Sequence, residues 1–245
     1  MTDDIRQMTD EPSQAPQPAP RGSEPVFNLP AVVVILMGVM AAIQAVDAFY
    51  FTVPVRNVFL FHTAFIPARY GPMGEWGGAA FWSPITYSLL HGGWAHLALN
   101  CFWLAAFGSI VAHRIGAIRF LLFWILSSIA AAALFLVLNW DAPVLMVGAS
   151  GVISALMGAA SRFAFAREAG LVRADAHLSR RLTIVGSLSN RTVLGFLAVW
   201  FGINVLAATG FSMGAADTGI AWEAHIGGFL FGFFTFSLFD PLPPR

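Results

Sequence analysis

Lysine is missing from this chain of 245 residues. All thirteen of its basic residues are arginine, thirteen acidic residues balance them, and charged residues make up only 11% of the whole. No basic run is long enough for a nucleic-acid footprint, so nucleic acid is not an expected partner. Cysteine is reduced to Cys101 in an apolar stretch, which excludes an intrachain disulfide framework and a cysteine metal site. The first residues lack the basic start, apolar stretch and small-residue cleavage site of a secretory signal peptide, so the first membrane segment is expected to stay in the mature protein.

What fills the space is apolar: 58% of the residues are hydrophobic and the mean hydropathy is +0.72, beyond what a soluble domain keeps in solution. A membrane is the expected solvent. Residues 1–28 differ, with Asp3, Asp4, Asp10, Glu11, five prolines and few large apolar side chains. Such a composition cannot offset chain entropy, and it reads as a disordered tail ahead of a membrane domain at 29–240.

A span needs about 20 apolar residues to cross roughly 30 Å of hydrocarbon. Six stretches qualify, near 29–51, 94–112, 119–139, 148–166, 192–211 and 222–239, which predicts an all-α bundle of six transmembrane helices. Between the first two, residues 52–93 are rich in Phe, Trp, Gly and Pro yet broken by polar residues. They read as an interfacial or partly inserted loop segment, allowed where protein or water satisfies its backbone. Basic residues accumulate on the cytoplasmic side. With the N-terminus inside, Arg6, Arg21, Arg114, Arg119, Arg162, Arg167, Arg173, Arg180, Arg181, Arg191 and Arg245 fall in or beside cytoplasmic segments and only Arg56 and Arg69 outside. Both termini are then cytoplasmic.

That orientation brings the unusual polar residues to one depth. His96 and Asn100 lie early in the second span, Ser150 opens the fourth, and His225 is about one turn into the sixth, all toward the outer face. Polar groups are costly in a bilayer and usually face a bundle interior or a water-filled cavity. A lone serine there is ordinarily bonded back to its own helix, and a lone histidine often joins helices. Gly148-Ala149-Ser150-Gly151 weighs against the plain reading for the serine, because flanking glycines allow the close access an exposed nucleophile needs. A helix starting there also aims unpaired N–H groups near the serine, where an oxyanion would develop.

His225 is the candidate base at matching depth. Ser150, Ser154 and Gly158 form one small-residue stripe, and Gly228 with Gly232 another, so the two spans could approach closely; both stripes could equally serve packing alone. His96 and Asn100, four apart, project from one helix face and could complete an oxyanion hole. A metal held by His91, His96 and His225 is disfavoured, since no Glu, Asp or Cys completes a ligand set beside them. No metal or cofactor is expected.

His91-Gly92-Gly93-Trp94-Ala95-His96-Leu97-Ala98-Leu99-Asn100, then Gly148-Ala149-Ser150-Gly151, then Ala224-His225-Ile226-Gly227-Gly228 resemble the rhomboid family of intramembrane serine proteases over about 80–240. The resemblance implies a six-helix bundle with a Ser–His dyad and no third carboxylate, cleaving single-span membrane proteins near the outer face. It makes Ser150 the nucleophile, His225 the general base and acid, and His96, Asn100 and the Ser150 N–H the oxyanion donors, while His91 has a structural role in holding the loop above the site. The expected location is a bacterial inner membrane.

Two departures stand out. Many relatives carry Trp-Arg where this chain has Trp82-Ser83, so an arginine-mediated loop contact is expected to be absent. Many also stack a Tyr on the catalytic histidine from the position that is Ser154 here, which leaves the orientation of His225 open. An inactive rhomboid-like protein that binds membrane helices is the alternative, although it would be expected to lose the serine or the histidine. A small transporter is a further alternative, although its polar groups should line a through-path rather than cluster on one side. For a protease, lateral access between spans five and six is expected, with Phe229, Phe231, Phe233 and Phe234 bordering lipid.

Overall fold

The computed structural model describes residues 29–72, 74, 77–165, 176–209 and 220–242; the tail at 1–28 and Arg167, Arg173 and Arg245 lie outside them. The described residues are mainly helical, and among them the only β-pairing is an isolated bridge between Phe65 and Met146. The fold is all-α, the architecture in which an apolar segment satisfies its own backbone without water.

α1 (Ala31–Phe49) leads into the segment read as an interfacial loop, much of which is helical. Residues 52–93 contain two short helices, α2 (Val53–Thr63) and α3 (Ala79–Thr86), with 3-10 turns at Pro67–Tyr70 and Tyr87–Leu89. Side chains fasten them together: the Trp82 indole donates to the His62 carbonyl at 2.7 Å and Thr86 to the Thr63 carbonyl at 2.6 Å. The Arg69 guanidinium is buried against Phe61, donating to the Phe61 and Ala64 carbonyls and to Ser83 Oγ at 3.0 Å. An arginine-mediated loop contact is therefore present after all. Its arginine comes from position 69, and Ser83 is one of its acceptors.

α4 (Trp94–Trp103) continues through a π-helical stretch, Leu104–Gly108, into α5 (Ser109–Leu138) as one 45-residue run. Laid out straight, such a run would measure roughly 68 Å, about twice the hydrocarbon thickness. The helical geometry breaks at Gly116, whose φ of 76° and ψ of 164° suit a residue without Cβ, so 94–115 and 117–138 are separate helices. The second returns to where the first began: Trp124 donates to Ser88 Oγ at 3.1 Å, and Ser128 Oγ to the Pro84 carbonyl at 2.9 Å.

α6 (Ser150–Ser161) is shorter than the predicted 148–166. Twelve residues reach roughly 18 Å, too little to cross a bilayer alone. Every residue from Gly151 to Ser161 is buried, so protein rather than lipid surrounds this helix. Among the described residues only Ala31–Phe49 and Trp94–Leu138 are long and apolar enough to cross by themselves.

α7 (Ile184–Leu188) is a single capped turn before α8 (Arg191–Ala208), and α9 (Trp222–Thr235) closes the bundle. α9 lies hard against α6 through small residues. A Cβ on Gly228 would overlap the Gly151 carbonyl oxygen, and one on Gly232 the Ala155 carbonyl oxygen. These pairs advance together along both helices, which makes α6 and α9 parallel and brings their first turns to one level. α8 attaches through its Val193, Leu197, Trp200 and Asn204 stripe, with Trp200 stacked on Phe229 at 4.4 Å. Phe229 and Phe233 are therefore core residues, contrary to the expectation that they border lipid; Phe231 is half-buried and Phe234 is exposed.

Candidate active site

The chain approaches Ser150 extended. Phe65 and Met146 exchange backbone hydrogen bonds at 2.9 and 3.1 Å, and the Gly148 N–H donates to the Tyr87 carbonyl at 3.0 Å. Gly148 then adopts a φ of 125°, and a Cβ there would press into the His96 ring. Glycine is thus required twice over, by backbone angle and by the closeness of the imidazole. The first backbone bond of α6 runs from the Ile153 N–H to the Ala149 carbonyl at 2.9 Å, so the N–H groups of Ser150, Gly151 and Val152 precede the helical ladder. They form the positive end of the helix dipole beside the serine hydroxyl.

His225 stands one turn into α9, and its Nε2 lies 2.9 Å from Ser150 Oγ. The Gly228–Gly151 contact explains the reach, since an alanine at 228 would overlap the Gly151 carbonyl and hold the helices apart, while one at 151 would press on Ala131 of the 117–138 helix. On the far side of the ring, Nδ1 is 2.9 Å from Asn204 Oδ1 on α8. Three helices thus contribute to one chain of hydrogen bonds from Ser150 through His225 to Asn204. No aromatic ring stacks on His225 among the described residues, and Ser154 is buried in α6. Asn204 contacts the imidazole from the side away from the serine.

His96 reaches the same place from α4. Its Nδ1 faces the Gly92 N–H at 3.3 Å, so Nδ1 is the acceptor and the proton of the neutral ring sits on Nε2, the nitrogen beside Gly148. A ring N–H is thereby placed beside Gly148, close to Ser150. Asn100, one turn further along, is buried and gives an amide N–H to the His96 carbonyl at 2.8 Å; no hydrogen bond joins it to Ser150 among the described residues. His91 is buried, with its ring edge-on to His96 at 5.2 Å.

Chemically this is a hydroxyl beside an imidazole, at a helix N-terminus, with a ring N–H on the third side: parts that suit acyl transfer. Sequence reasoning missed Asn204. The available signal was its place on the stripe Val193, Leu197, Trp200 and Asn204, where a polar residue on the inward face of an apolar helix stands out. A family model described as the Rhomboid domain matches residues 78–240, well over half of the chain and the part that holds all these groups. No curated protein matches the chain.

Proposed function

The chain belongs to the rhomboid family of integral membrane proteins, generally serine proteases, and on that premise we propose that it is an intramembrane serine endopeptidase working through Ser150 and His225. The observation that carries this reading is the 2.9 Å contact between Ser150 Oγ and His225 Nε2 at the start of α6. Ser150 Oγ attacks the scissile carbonyl carbon as His225 takes its proton, and the developing oxyanion is held by the Ser150 N–H, the His96 ring N–H and the Asn100 amide. His225 then protonates the leaving amine, and water attacks the acyl-enzyme to free Ser150.

The substrates are single-span membrane proteins that enter laterally beside α8, whose narrow attachment makes it the wall easiest to displace. The protein crosses the membrane six times, with α1, 94–115, 117–138, the α6 region, α8 and α9. Arg114, Arg162 and Arg181 gather at the end of the bundle opposite Ser150, which supports a cytoplasmic placement of that end and of both termini, with cleavage near the outer face of a bacterial inner membrane.

An active-site-directed fluorophosphonate tests the reading. Incubated with the purified chain, it should modify Ser150 and nothing in Ser150→Ala, and His225→Ala should suppress the labelling. Modification of another residue, or undiminished labelling without His225, would refute the assignment.

A further inference from the structure

Among the buried positions of α8, Val193, Leu197 and Trp200 are apolar and Asn204 is not. A carboxamide buried in a membrane helix is costly unless both of its ends are bonded. Both are. The amide nitrogen donates to the Trp200 carbonyl at 2.8 Å, and Oδ1 lies 2.9 Å from His225 Nδ1.

For a neutral imidazole the donor and acceptor roles follow from the partners. A backbone carbonyl only accepts, so the Asn204 atom facing Trp200 is the NH2 group and the atom facing His225 is oxygen. An amide oxygen also only accepts, so the proton between it and Nδ1 belongs to the imidazole. A neutral imidazole carries one N–H, and Nε2 is left with a lone pair 2.9 Å from Ser150 Oγ. This is the tautomer a base for Ser150 requires.

We propose that Asn204 is a positioning residue for the proteolytic reaction, its Oδ1 holding His225 in the Nδ1–H tautomer with Nε2 aimed at Ser150. The inference rests on the proteolytic reading above. When Nε2 takes the serine proton, the ring becomes imidazolium, and its Nδ1–H remains bonded to an oxygen dipole already in place. A neutral amide does this without burying a second formal charge, which suits membrane depth better than a carboxylate. Asn204 touches neither substrate nor the reacting atoms and acts through His225 alone.

The test begins with the full-length chain labelled with 15N-histidine in detergent, His225 being identified by the signals that vanish in His225→Ala. The ring nitrogen shifts should place the proton on Nδ1 in the parent, whereas in Asn204→Leu the tautomers should mix. In that variant kcat should fall about 10- to 100-fold with KM unchanged, because a buried N–H has lost its acceptor. Asn204→Asp keeps an acceptor toward His225 but loses the donor to Trp200, and its kcat should recover most of that loss. A parent proton on Nε2 would overturn the proposal whether or not any variant folds. An Asp variant as slow as the Leu variant would do the same by assigning Asn204 to helix packing. Ser150→Ala, run alongside, separates the two ideas: full activity in Asn204→Leu with none in Ser150→Ala defeats the positioning role alone, and activity in Ser150→Ala defeats the proteolytic reading itself.

Discussion

The helices that begin near His96, Ser150 and His225 finish near Arg114, inside the last turn of 94–115, and near Arg162 and Asp240, just past α6 and α9, and the two ends handle buried polarity differently. At the first end the side chains are half-buried and carry no carboxylate or guanidinium; one hydrogen bond of 2.9 Å links Ser150 to His225, and another links His225 to Asn204. At the second, Arg114 meets Asp240 in two bonds of 2.9 and 3.0 Å, Arg181 adds a third at 3.0 Å, and the Asp240 side chain is wholly buried. Two guanidiniums on one carboxylate leave positive charge in excess. Backbone carbonyls absorb it: Arg114 also donates to His177 and Ser179 and lies over the Phe163 ring, and Arg162 donates to Leu182 and Phe233. Charges held by several partners lock the helices together, whereas a lone pair facing a hydroxyl is free to take a proton. Damage at the arginine end should register in stability, and damage at the serine end in turnover.

The sharpest break of that comparison is at the serine end. Ser150→Ala and His225→Ala should each lower cleavage of a single-span reporter in liposomes by at least about 10,000-fold, the scale on which nucleophile and base act as a unit. Their thermal unfolding in detergent should match that of the parent. A variant that cut at the parental rate would sink the dyad; one that melted far earlier would make these residues structural.

Asp240→Ala is the mirror experiment. Removing one partner of a buried ion pair costs about 3–5 kcal/mol because the remaining charge is stranded, and here two guanidiniums are stranded together. Thermal unfolding should show that loss while turnover per folded molecule stays at the parental level. Lost turnover at unchanged stability would mean that the two ends are coupled.

The proposed oxyanion donors grade the serine end more finely. Removing one such donor costs about 100- to 1,000-fold in kcat. His96→Ala should lie toward the upper figure, since its Nε2 edge abuts Gly148, and Asn100→Ala toward the lower, since one of its N–H bonds is spent on the His96 carbonyl. Steady-state kinetics on both variants should show the difference, and the reverse order would overturn the ranking.

The serine end was legible in the sequence for a local reason. Glycines around Ser150 and His225 mark close approach wherever they occur, and the ordered motifs lie in short windows. Helix positions were legible as apolar runs, down to the gap that holds Gly116. The rest depended on which face of each helix meets protein, and a bilayer erases that signal because lipid is as apolar as a core. Phe229 and Phe233 could not be told from lipid-facing residues by type, and the stripe that ends in Asn204 is set against equally apolar neighbours. The end of α6 was misjudged because Arg162 is held by Leu182 and by Phe233, the latter 71 residues away. Composition in the 148–166 window carries no trace of those partners.

Arg69 offers the smallest and most specific test, because it belongs to neither end. Its guanidinium joins the last turn of α2 to α3, and the same segment reaches the approach to Ser150 through the Phe65–Met146 bridge. Arg69→Met leaves two carbonyls and the Ser83 hydroxyl without their donor and should cost about 2 kcal/mol, the range for hydrogen bonds from a charged group. Arg69→Lys should recover part of it, since one ammonium cannot span three acceptors placed for a planar fork. Ser83→Ala removes one acceptor and leaves both carbonyl bonds, so about 1 kcal/mol or less is expected. Thermal unfolding of the three variants in one detergent gives the order Met, Lys, Ala from least to most stable. If Ser83→Ala proved as damaging as Arg69→Met, the hydroxyl rather than the guanidinium would be the brace between α2 and α3.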